Sequence, residues 1–289
     1  MYIVTGATGH TGRAVAETLL GQGKPVTVVV RDSKKAGSWK EKGAKIAQAT
    51  LEDSSSMKRV LTGAEGAYLL VPPKYGASNF IEDRRHVTDA LAGAVRASRI
   101  PHIVLLSSVG GHLPLGTGPI LSNHYAEAAL GGAAPNVTIL RPSYFIENWE
   151  SSIGAVQTEG VLYSFLEPQR KIPMIATLDI GRNAAEYLVN PARGRRIVEM
   201  AGPEDYSPED IAAALASLLG RPVRVQGLPL SAMAAALTSA GLSADVARLF
   251  EEMTGGINSG HVAYEGKGIE FRRGTITPKE ALAKMLGRG

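Results

Sequence analysis

The sequence predicts an α/β fold: a doubly wound parallel sheet followed by a smaller C-terminal α+β lobe. Two observations predict it. Short apolar runs alternate with helix-forming stretches from residue 2 to about residue 142. A turn with three glycines, TGATGHTG at 5–12, joins the first apolar run to the first helical stretch. Because continuous apolar strands suit a sheet covered on both faces, the alternation indicates repeated β-α-β units with right-handed crossovers.

The elements of the sheet follow one another in order. The predicted strands are YIVT at 2–5, VTVVV at 26–30, AKIAQA at 44–49, GAYLLV at 66–71, HIVLLSS at 102–108 and VTILR at 137–141. Helices are predicted from Thr11 and near 33–42, 54–62, 79–99 and 121–133. The 79–99 helix has apolar residues at a spacing of three to four, which is typical of a helix with one buried face.

The regular alternation ends after Pro142. Beyond it, helical stretches at 179–189, 207–220 and 277–286 are mixed with short strands at 195–200 and 222–227. The second and third of these helices open with Ser-Pro and Thr-Pro, in which a capping hydroxyl precedes proline at the first helical position. We therefore divide the chain into residues 1–150, which form the sheet, and a smaller lobe of residues 151–289. A return of later segments, about 175–200, to the first part is left open.

Composition excludes several classes of site. The 289 residues include no cysteine, which excludes disulfides, thiol catalysis and thiolate metal centres. The six histidines show no metal-ligand spacing, so no metal is predicted. The formal charge of +4 comes without a dense basic tract, which favours an anionic small ligand over nucleic acid. Without an apolar run of about 18 residues or a leader segment, we expect a soluble cytoplasmic protein that does not bind membranes.

The glycine turn predicts a binding site for a pyrophosphate. A turn that enters a helix directs unpaired backbone N–H groups and the positive end of the helix dipole at its ligand. Gly6 permits the tight turn, Gly9 lets the backbone approach phosphate, and Gly12 lets the helix close on the first strand. The strand before the turn and the helix after it strengthen this interpretation, and together they indicate a Rossmann-type dinucleotide-binding domain.

The end of the second predicted strand indicates which dinucleotide is bound. Arg31 follows that strand and is followed by Asp32, Lys34 and Lys35. An acid in this position binds a ribose 2′-hydroxyl, whereas an arginine suits a 2′-phosphate. We therefore predict NADP(H), with Arg31 and Lys35 near the phosphate. The alternative is NAD(H), with Asp32 on the ribose and Arg31 in solvent.

The chain resembles the NmrA-like group of atypical short-chain dehydrogenases/reductases. The resemblance rests on TGATGHTG, VVVRD, LLVPP, LLSS and TILRPSYFIENW after successive strands, and continues through ATLDIGRNAAEYL and GTITPKEALAKML. Within the group, it is similar to the triphenylmethane reductase and NAD(P)H:quinone oxidoreductase type. The resemblance implies an NADP(H)-binding Rossmann domain, a small C-terminal substrate lobe and a cleft between them.

The resemblance also implies roles for individual residues. The pyrophosphate would be held by Gly6, Thr8, Gly9, His10, Thr11 and Gly12, and the 2′-phosphate by Arg31. The nicotinamide would be flanked by Leu70, Val71, Pro72, Pro73 and Ser107, and it would be bordered, together with the cleft, by Pro142, Ser143, Tyr144 and Phe145. The family often has Gly-Asp-Leu near the adenine, whereas this chain has Ala49, Thr50 and Leu51, so a carboxylate contact is lost there and Thr50 is left to hydrogen-bond.

The catalytic pair of ordinary short-chain dehydrogenases is missing. None of the nine tyrosines has a lysine four residues later, which argues against alcohol–ketone interconversion through a Tyr-x-x-x-Lys pair. Hydride transfer survives this loss because the nicotinamide supplies the chemistry. The candidates for a proton donor are His124 and Tyr125, on the helix that the family places at its active site.

These inferences predict an NADPH-dependent oxidoreductase. Its acceptor would be a planar, electron-poor quinone, dye, imine or enone, which needs little help from a proton donor. Candidate residues of the substrate pocket are Asn123, Tyr144, Phe145 and Asn148. The alternative is a non-catalytic NADP(H)-binding redox sensor, since the missing pair fits both functions; a sugar-nucleotide epimerase is disfavoured because it needs the pair. Self-association is left open.

Overall fold

The computed structural model describes residues 1–288, apart from the side chain of Lys35. The strands are β1 (Tyr2–Val4), β2 (Val26–Val30), β3 (Lys45–Gln48), β4 (Gly66–Leu69), β5 (His102–Leu106), β6 (Asn136–Pro142), β7 (Tyr144–Phe145), β8 (Val161–Ser164), β9 (Ile172–Ile175), β10 (Gly194–Ala201), β11 (Asp205–Tyr206), β12 (Arg224–Gly227) and β13 (Glu270–Arg273).

The helices alternate with these strands. They are α1 (His10–Gly21), α2 (Gly37–Glu41), α3 (Ser54–Leu61), α4 (Phe80–Ser98), α5 (Leu121–Leu130), α6 (Ile153–Glu159), α7 (Thr177–Val189), α8 (Pro208–Leu219), α9 (Met233–Ser239), α10 (Ala244–Ser259) and α11 (Pro278–Met285). Short 3₁₀ turns cover Ser33–Ala36, Gly118–Ile120, Ile146–Ser152 and Leu230–Ala232. None of the helices in the described part of the chain combines the length and apolar character needed to cross a bilayer.

Eight strands form one parallel sheet in the order β13-β10-β6-β5-β4-β1-β2-β3. The order from β3 to β6 is that of a Rossmann fold, which confirms the predicted fold class. The chain reverses direction across the sheet between β1 and β4, whose carboxyl ends lie side by side at Val4 and Tyr68. Ligands of open α/β sheets bind outside such a switch point, so this edge is where a site is expected.

Helices cover both faces of the sheet, as its apolar strands require. On one face α3, α4 and α5 contribute Met57, Leu91 and Leu130 to a buried cluster. On the other, α1 and α7 contribute Val15 and Ile180. These helices pack so closely that a Cβ atom added at Gly181 would lie 2.3 Å from the Cβ of Ala14.

A third buried cluster lies outside the sheet and belongs to the smaller lobe. It combines Trp149 with Leu162, Met174, Leu215 and Leu282, from elements spread between residues 146 and 286. The capping hydroxyls predicted for two helices of this region are present, and each is part of a capping box. In α8 the Ser207 hydroxyl accepts from the backbone N–H of Asp210, and the Asp210 carboxylate accepts from the backbone N–H of Ser207. Thr277 and Glu280 form the same pair of bonds at the start of α11.

The division of the chain at residue 150 stays a prediction. Residues on both sides of it build the large sheet, because β10 pairs with β6 over Asn136–Pro142 and β13 pairs with β10. The return of segments near 175–200 corresponds to α7 and β10. Strand β13 was not predicted from the sequence, since its four residues, EFRR, show little apolar alternation.

Candidate functional site

The glycine turn between β1 and α1 has the geometry that its sequence predicts. Gly6 has a φ of +65°, and a Cβ there would lie 2.7 Å from Cδ2 of Leu70. A Cβ at Gly12 would lie 2.4 Å from the carbonyl oxygen of Gly6. A Cβ at Gly9 would lie 3.5 Å from the carbonyl oxygen of Gly6, which is an ordinary contact, so a side chain would fit at this position. Gly6 therefore packs against Leu70 and Gly12 against the backbone of the turn, whereas Gly9 is exposed at the outer side of the turn.

Helix α1 begins with free amide groups. Its N-cap residue is Gly9, no side chain caps it, and its first turn holds no acidic residue. A cavity of about 530 Å³ lies in front of it, lined by Thr8, Gly9, His10 and Arg13 on one side and by Glu147, Glu150 and Thr177 on the other. Across this cavity Nε2 of His10 lies 3.2 Å from Oε2 of Glu150. Unpaired N–H groups at a helix start favour an anionic ligand, which is what a pyrophosphate needs.

A second cavity of about 380 Å³ lies at the ends of β1 and β2. Its lining includes Gly6, Thr8, Arg31, Asp32, Leu51 and Pro72. The carboxylate of Asp32 accepts a hydrogen bond from the backbone N–H of Lys34 at 2.9 Å and caps the following turn. The Arg31 side chain is exposed at the same rim. The rim thus presents an exposed guanidinium beside a carboxylate of which one oxygen accepts a backbone hydrogen bond.

The third cavity, of about 460 Å³, lies between the carboxyl ends of β5 and β6 and the C-terminal lobe; we call it the acceptor cleft. Its lining is Tyr75, Ser108, Val109, Ile120, Ser143, Tyr144, Phe145, Asn148, Arg170, Lys171, Ile172, Pro173, Asp205, Phe250, Met253, Ile257, Gly260, Val262, Ala263 and Tyr264. Burial raises the pKa of Tyr144 to about 12 and also raises the pKa of Tyr264. Both phenols therefore stay protonated near neutral pH. The phenol of Tyr264 donates to the carbonyl oxygen of Met200 at 3.1 Å, whereas that of Tyr144 can donate a hydrogen bond to a ligand.

The chain as a whole matches one family profile. The NmrA-like family profile matches residues 2–273. The chain belongs to the NmrA-like family.

Relatives of this NmrA-like chain include several reductases. It is 26% identical to the NAD(P)H azoreductase of Xenophilus azovorans over 255 residues, which is 88% of this chain and 86% of the relative. It is 26% identical to quinone oxidoreductase 2 of Escherichia coli over 99% of both chains. The structure of Citrobacter sp. triphenylmethane reductase complexed with NADP(H) superposes with a TM-score of 0.82 at 16% identity, covering 99% of this chain and 100% of that one.

Several predicted residues of the NmrA-like chain line the cavities. Thr8, Gly9 and His10 face the cavity before α1, and Ser143, Tyr144, Phe145 and Asn148 face the acceptor cleft. Leu51 lines the cavity beside Arg31, whereas Thr50 is exposed outside that lining. Thr11 is buried within the first turn of α1. The side chain of Lys35 lies outside the described residues.

The residues predicted beside the nicotinamide separate into different environments. Pro72 lines the cavity beside Arg31 rather than the acceptor cleft, and Leu70 packs on Gly6. The Val71 carbonyl accepts a hydrogen bond from the guanidinium of Arg84. Pro73 is exposed and lines none of the three cavities.

Two further residues of that set support the site rather than face it. Pro142, at the end of β6, is buried, and its carbonyl accepts the backbone N–H of Val109 at 2.9 Å. Ser107 is buried as well and donates to the carboxylate of Glu127 at 2.6 Å, so the neighbouring Ser108 and Val109 face the cleft instead.

The proposed proton donors do not line the acceptor cleft. The phenol of Tyr125 donates to Asp89 at 2.7 Å, and the guanidinium of Arg85 lies over its ring, on the surface beside α4. Nδ1 of His124 lies 2.9 Å from the carbonyl oxygen of Gly111. Asn123 lies beside Ser122, also outside the lining of the cleft. The side chains of Tyr125 and His124 thus contact helix α4 and the loop at Gly111, and the predicted roles of the three residues stay predictions.

Sequence reasoning missed the wall of the cleft that the C-terminal lobe supplies. Phe250, Met253 and Ile257 of α10 form part of it, and their spacing of three and four residues is a helical signal that could have identified an apolar face. Tyr264 and Arg170 lie on connecting segments without any sequence pattern. Only the folded chain brings them to the cleft.

Proposed function

We propose that this chain is an NADPH-dependent oxidoreductase that transfers a hydride to a planar, electron-poor organic acceptor, such as a quinone, an azo dye, an imine or an enone. The observation that carries the proposal is the uncapped start of α1 at the switch point of a Rossmann sheet, with an apolar, aromatic cleft at the same edge. The names of the azoreductase and quinone oxidoreductase relatives support the class of reaction.

The cavities fit the parts of NADPH. The open side of Gly9 and the free amides behind it suit the pyrophosphate. Arg31 suits the 2′-phosphate of NADPH. The name of the azoreductase relative includes NAD(P)H, and the related triphenylmethane reductase was solved with NADP(H). These observations favour NADPH over NADH.

The residues of the acceptor cleft suit a reaction with little proton transfer by the protein. When bound, NADPH supplies the hydride. Tyr144 and Phe145 offer flat surfaces on which a planar acceptor can stack. The protonated phenol of Tyr144 offers a hydrogen bond to an oxygen or nitrogen that gains negative charge as the hydride arrives. The raised pKa of Tyr144 keeps its phenol protonated near neutral pH, so it acts as a hydrogen-bond donor rather than as a general base.

The decisive experiment measures NADPH consumption with a panel of quinones, azo dyes, imines and enones. We expect turnover with at least one class. Tight NADPH binding without turnover on any of them would favour the redox sensor, and absence of binding to either nicotinamide dinucleotide would reject both functions.

A Gly9→Asp variant tests whether the turn binds the pyrophosphate of the cofactor. Gly9 has a φ of −97° in extended backbone with room for a side chain, and aspartate is a favoured N-cap residue. The variant should therefore fold at least as stably as the parent chain. Its carboxylate would occupy the position of the pyrophosphate, so NADPH affinity should fall by about 100-fold or more. Unchanged NADPH affinity would show that the pyrophosphate does not bind at this turn.

A further inference from the structure

One side chain of the acceptor cleft carries a charge that the protein does not neutralise. Arg170, on the loop between β8 and β9, is half-buried, and its Nε atom is buried without a hydrogen-bond partner. Among the described residues, 1–288, no carboxylate lies within 4.0 Å of its guanidinium. A partly buried guanidinium without an acceptor is unfavourable unless a ligand supplies one.

The buried arginines elsewhere in the chain show the contrast. Arg141 is held by the carboxylate of Glu127 through two hydrogen bonds, and Arg84 donates to Ser122 and to the Val71 carbonyl. The fold therefore satisfies its structural arginines with protein groups. Arg170 is the exception among these three, and it is the one that lines a cavity.

The backbone beside Arg170 makes room for its guanidinium. Gly260, which ends α10, has a φ of +83°, and a Cβ there would lie 3.0 Å from Nη2 of Arg170. The end of the α10 dipole attracts a cation, but in the described structure Arg170 donates no side-chain hydrogen bond to a carbonyl of that helix. Its terminal Nη donors thus remain available for an oxygen in the cleft.

Three further charged residues lie on or beside the wall of the cleft near Arg170. Lys171 also lines the cleft, with its Nζ 4.0 Å from the carboxylate of Asp210. Asp205 is the carboxylate on the lining, and Asp210 offsets the charge of Lys171. The attraction for a negatively charged ligand group at this wall therefore comes from the guanidinium of Arg170, which has no carboxylate within 4.0 Å among the described residues.

We infer that the ligand of the acceptor cleft is an aromatic or conjugated molecule that bears an anionic group, a carboxylate, sulfonate or phosphate, and that Arg170 binds this group. The inference rests on the proposed function and adds the charge of the acceptor to it. A guanidinium binds planar or tetrahedral oxyanions through paired N–H donors, whereas Lys171 contributes charge only. The cofactor's own 2′-phosphate is expected in a different cavity, beside Arg31, and does not compete for Arg170.

The test uses two non-reducible probes with the same ring, naphthalene-2-sulfonate and naphthalene-2-sulfonamide, titrated into the protein saturated with NADPH. The wild-type chain should bind the sulfonate about tenfold more tightly than the neutral sulfonamide. In Arg170→Met the two affinities should become equal within about twofold, and Arg170→Lys should keep part of the preference. Arg248→Met, which removes an exposed cation of α10 outside the cleft, should retain the full preference.

Equal affinities in the wild-type chain, binding of neither probe, or a preference that survives Arg170→Met would overturn the inference. Reduction of neutral 1,4-naphthoquinone by the wild-type chain is measured separately. If that reduction proceeds while the probes show no charge preference, the proposed function stands and only the anionic group is rejected.

Discussion

At the scale of single residues, a buried group of charges supports the wall of the acceptor cleft. Arg141, on β6, is 2% exposed and forms two hydrogen bonds with Glu127, which is 3% exposed. A third bond joins Arg141 to Glu265, and Glu199 accepts the backbone N–H groups of Glu265 and Gly266. Because Glu265 follows Tyr264 directly, this group fixes the segment that lines the cleft.

Removal of Arg141 should destabilise the whole fold. Arg141→Met leaves the buried carboxylate of Glu127 with only the Ser107 hydroxyl and the more distant Arg195, 3.8 Å away, which we expect to lower the free energy of unfolding by about 3–5 kcal/mol. Arg248→Met, which removes the exposed partner of Asp245, should change it by less than about 1 kcal/mol. Urea unfolding followed by circular dichroism measures both. Equal effects of the two substitutions would show that the buried group contributes no more than a surface pair.

Arg31 should determine the choice between the two dinucleotides. Arg31→Asp replaces the expected 2′-phosphate ligand with a carboxylate that repels this group and accepts from a ribose 2′-hydroxyl. We expect NADPH to bind at least about tenfold more weakly, and NADH to bind as well as before or better. Fluorescence titration with both dinucleotides gives the ratio. An unchanged ratio of NADPH to NADH affinity would show that Arg31 does not bind the 2′-phosphate.

Residue-scale prediction from the sequence works where the backbone alone decides. Gly6 and Gly12 were predictable because only glycine fits a positive φ or a 2.4 Å approach. Tyr125 and His124 were not, because the direction of a side chain on a helix depends on which face the partners bury. The packing of α5 beside α4 directs the Tyr125 phenol to Asp89. The sequence of the segment 121–130 does not indicate this partner, which belongs to another helix.

At the scale of elements, the parts of the sheet were predictable and the C-terminal wall of the cleft was not. Strands β1, β2, β4 and β5 are mainly apolar and buried, whereas β3 (KIAQ) is partly exposed. Helix α4 was predicted within one residue of its bounds, Phe80–Ser98. The segment 33–42 forms a 3₁₀ turn and a five-residue helix instead of one helix. Helix α10 was missed although its N-cap Ser243 and its apolar spacing are present, since glycines at 255 and 256 weaken the helical pattern.

Two glycines of α1 provide a matched test of that element. Gly12→Ala places a Cβ against the Gly6 carbonyl, so we expect a loss of about 1–3 kcal/mol in stability and weaker NADPH binding as the turn shifts. Gly21→Ala, at the other end of the same helix, meets no atom within 4 Å and should be neutral or stabilising by up to about 1 kcal/mol. Urea unfolding and NADPH titration distinguish them. Equal behaviour would contradict close packing of α1 on the turn.

At the scale of the whole molecule, the chain crosses between its two parts more than once. It leaves the sheet after β6, builds β7 to β9, returns through α7 and β10, and returns again with β13 after α8 to α10. The sequence signals are local, so they identify units of strand and helix but do not show where a short strand such as β13 pairs. The acceptor cleft depends on these returns, because its wall combines residues near 144, 170 and 260.

A fragment of residues 1–150 should therefore fail to fold as a stable unit. Without β10, strand β6 becomes an apolar edge along Val137–Leu140, which favours association between chains. Without α7, the buried residues Val15 and Leu19 of α1 lose Ile180 and Ala184 from their cluster. We expect the fragment to show no cooperative urea transition and no NADPH binding. A fragment of residues 1–201 restores both partners and should regain a cooperative transition at a lower urea midpoint than the full chain, since β10 still lacks β13. Cooperative unfolding together with NADPH binding by the 1–150 fragment would establish an independent dinucleotide-binding domain, and it would contradict the dependence of the sheet on α7 and β10.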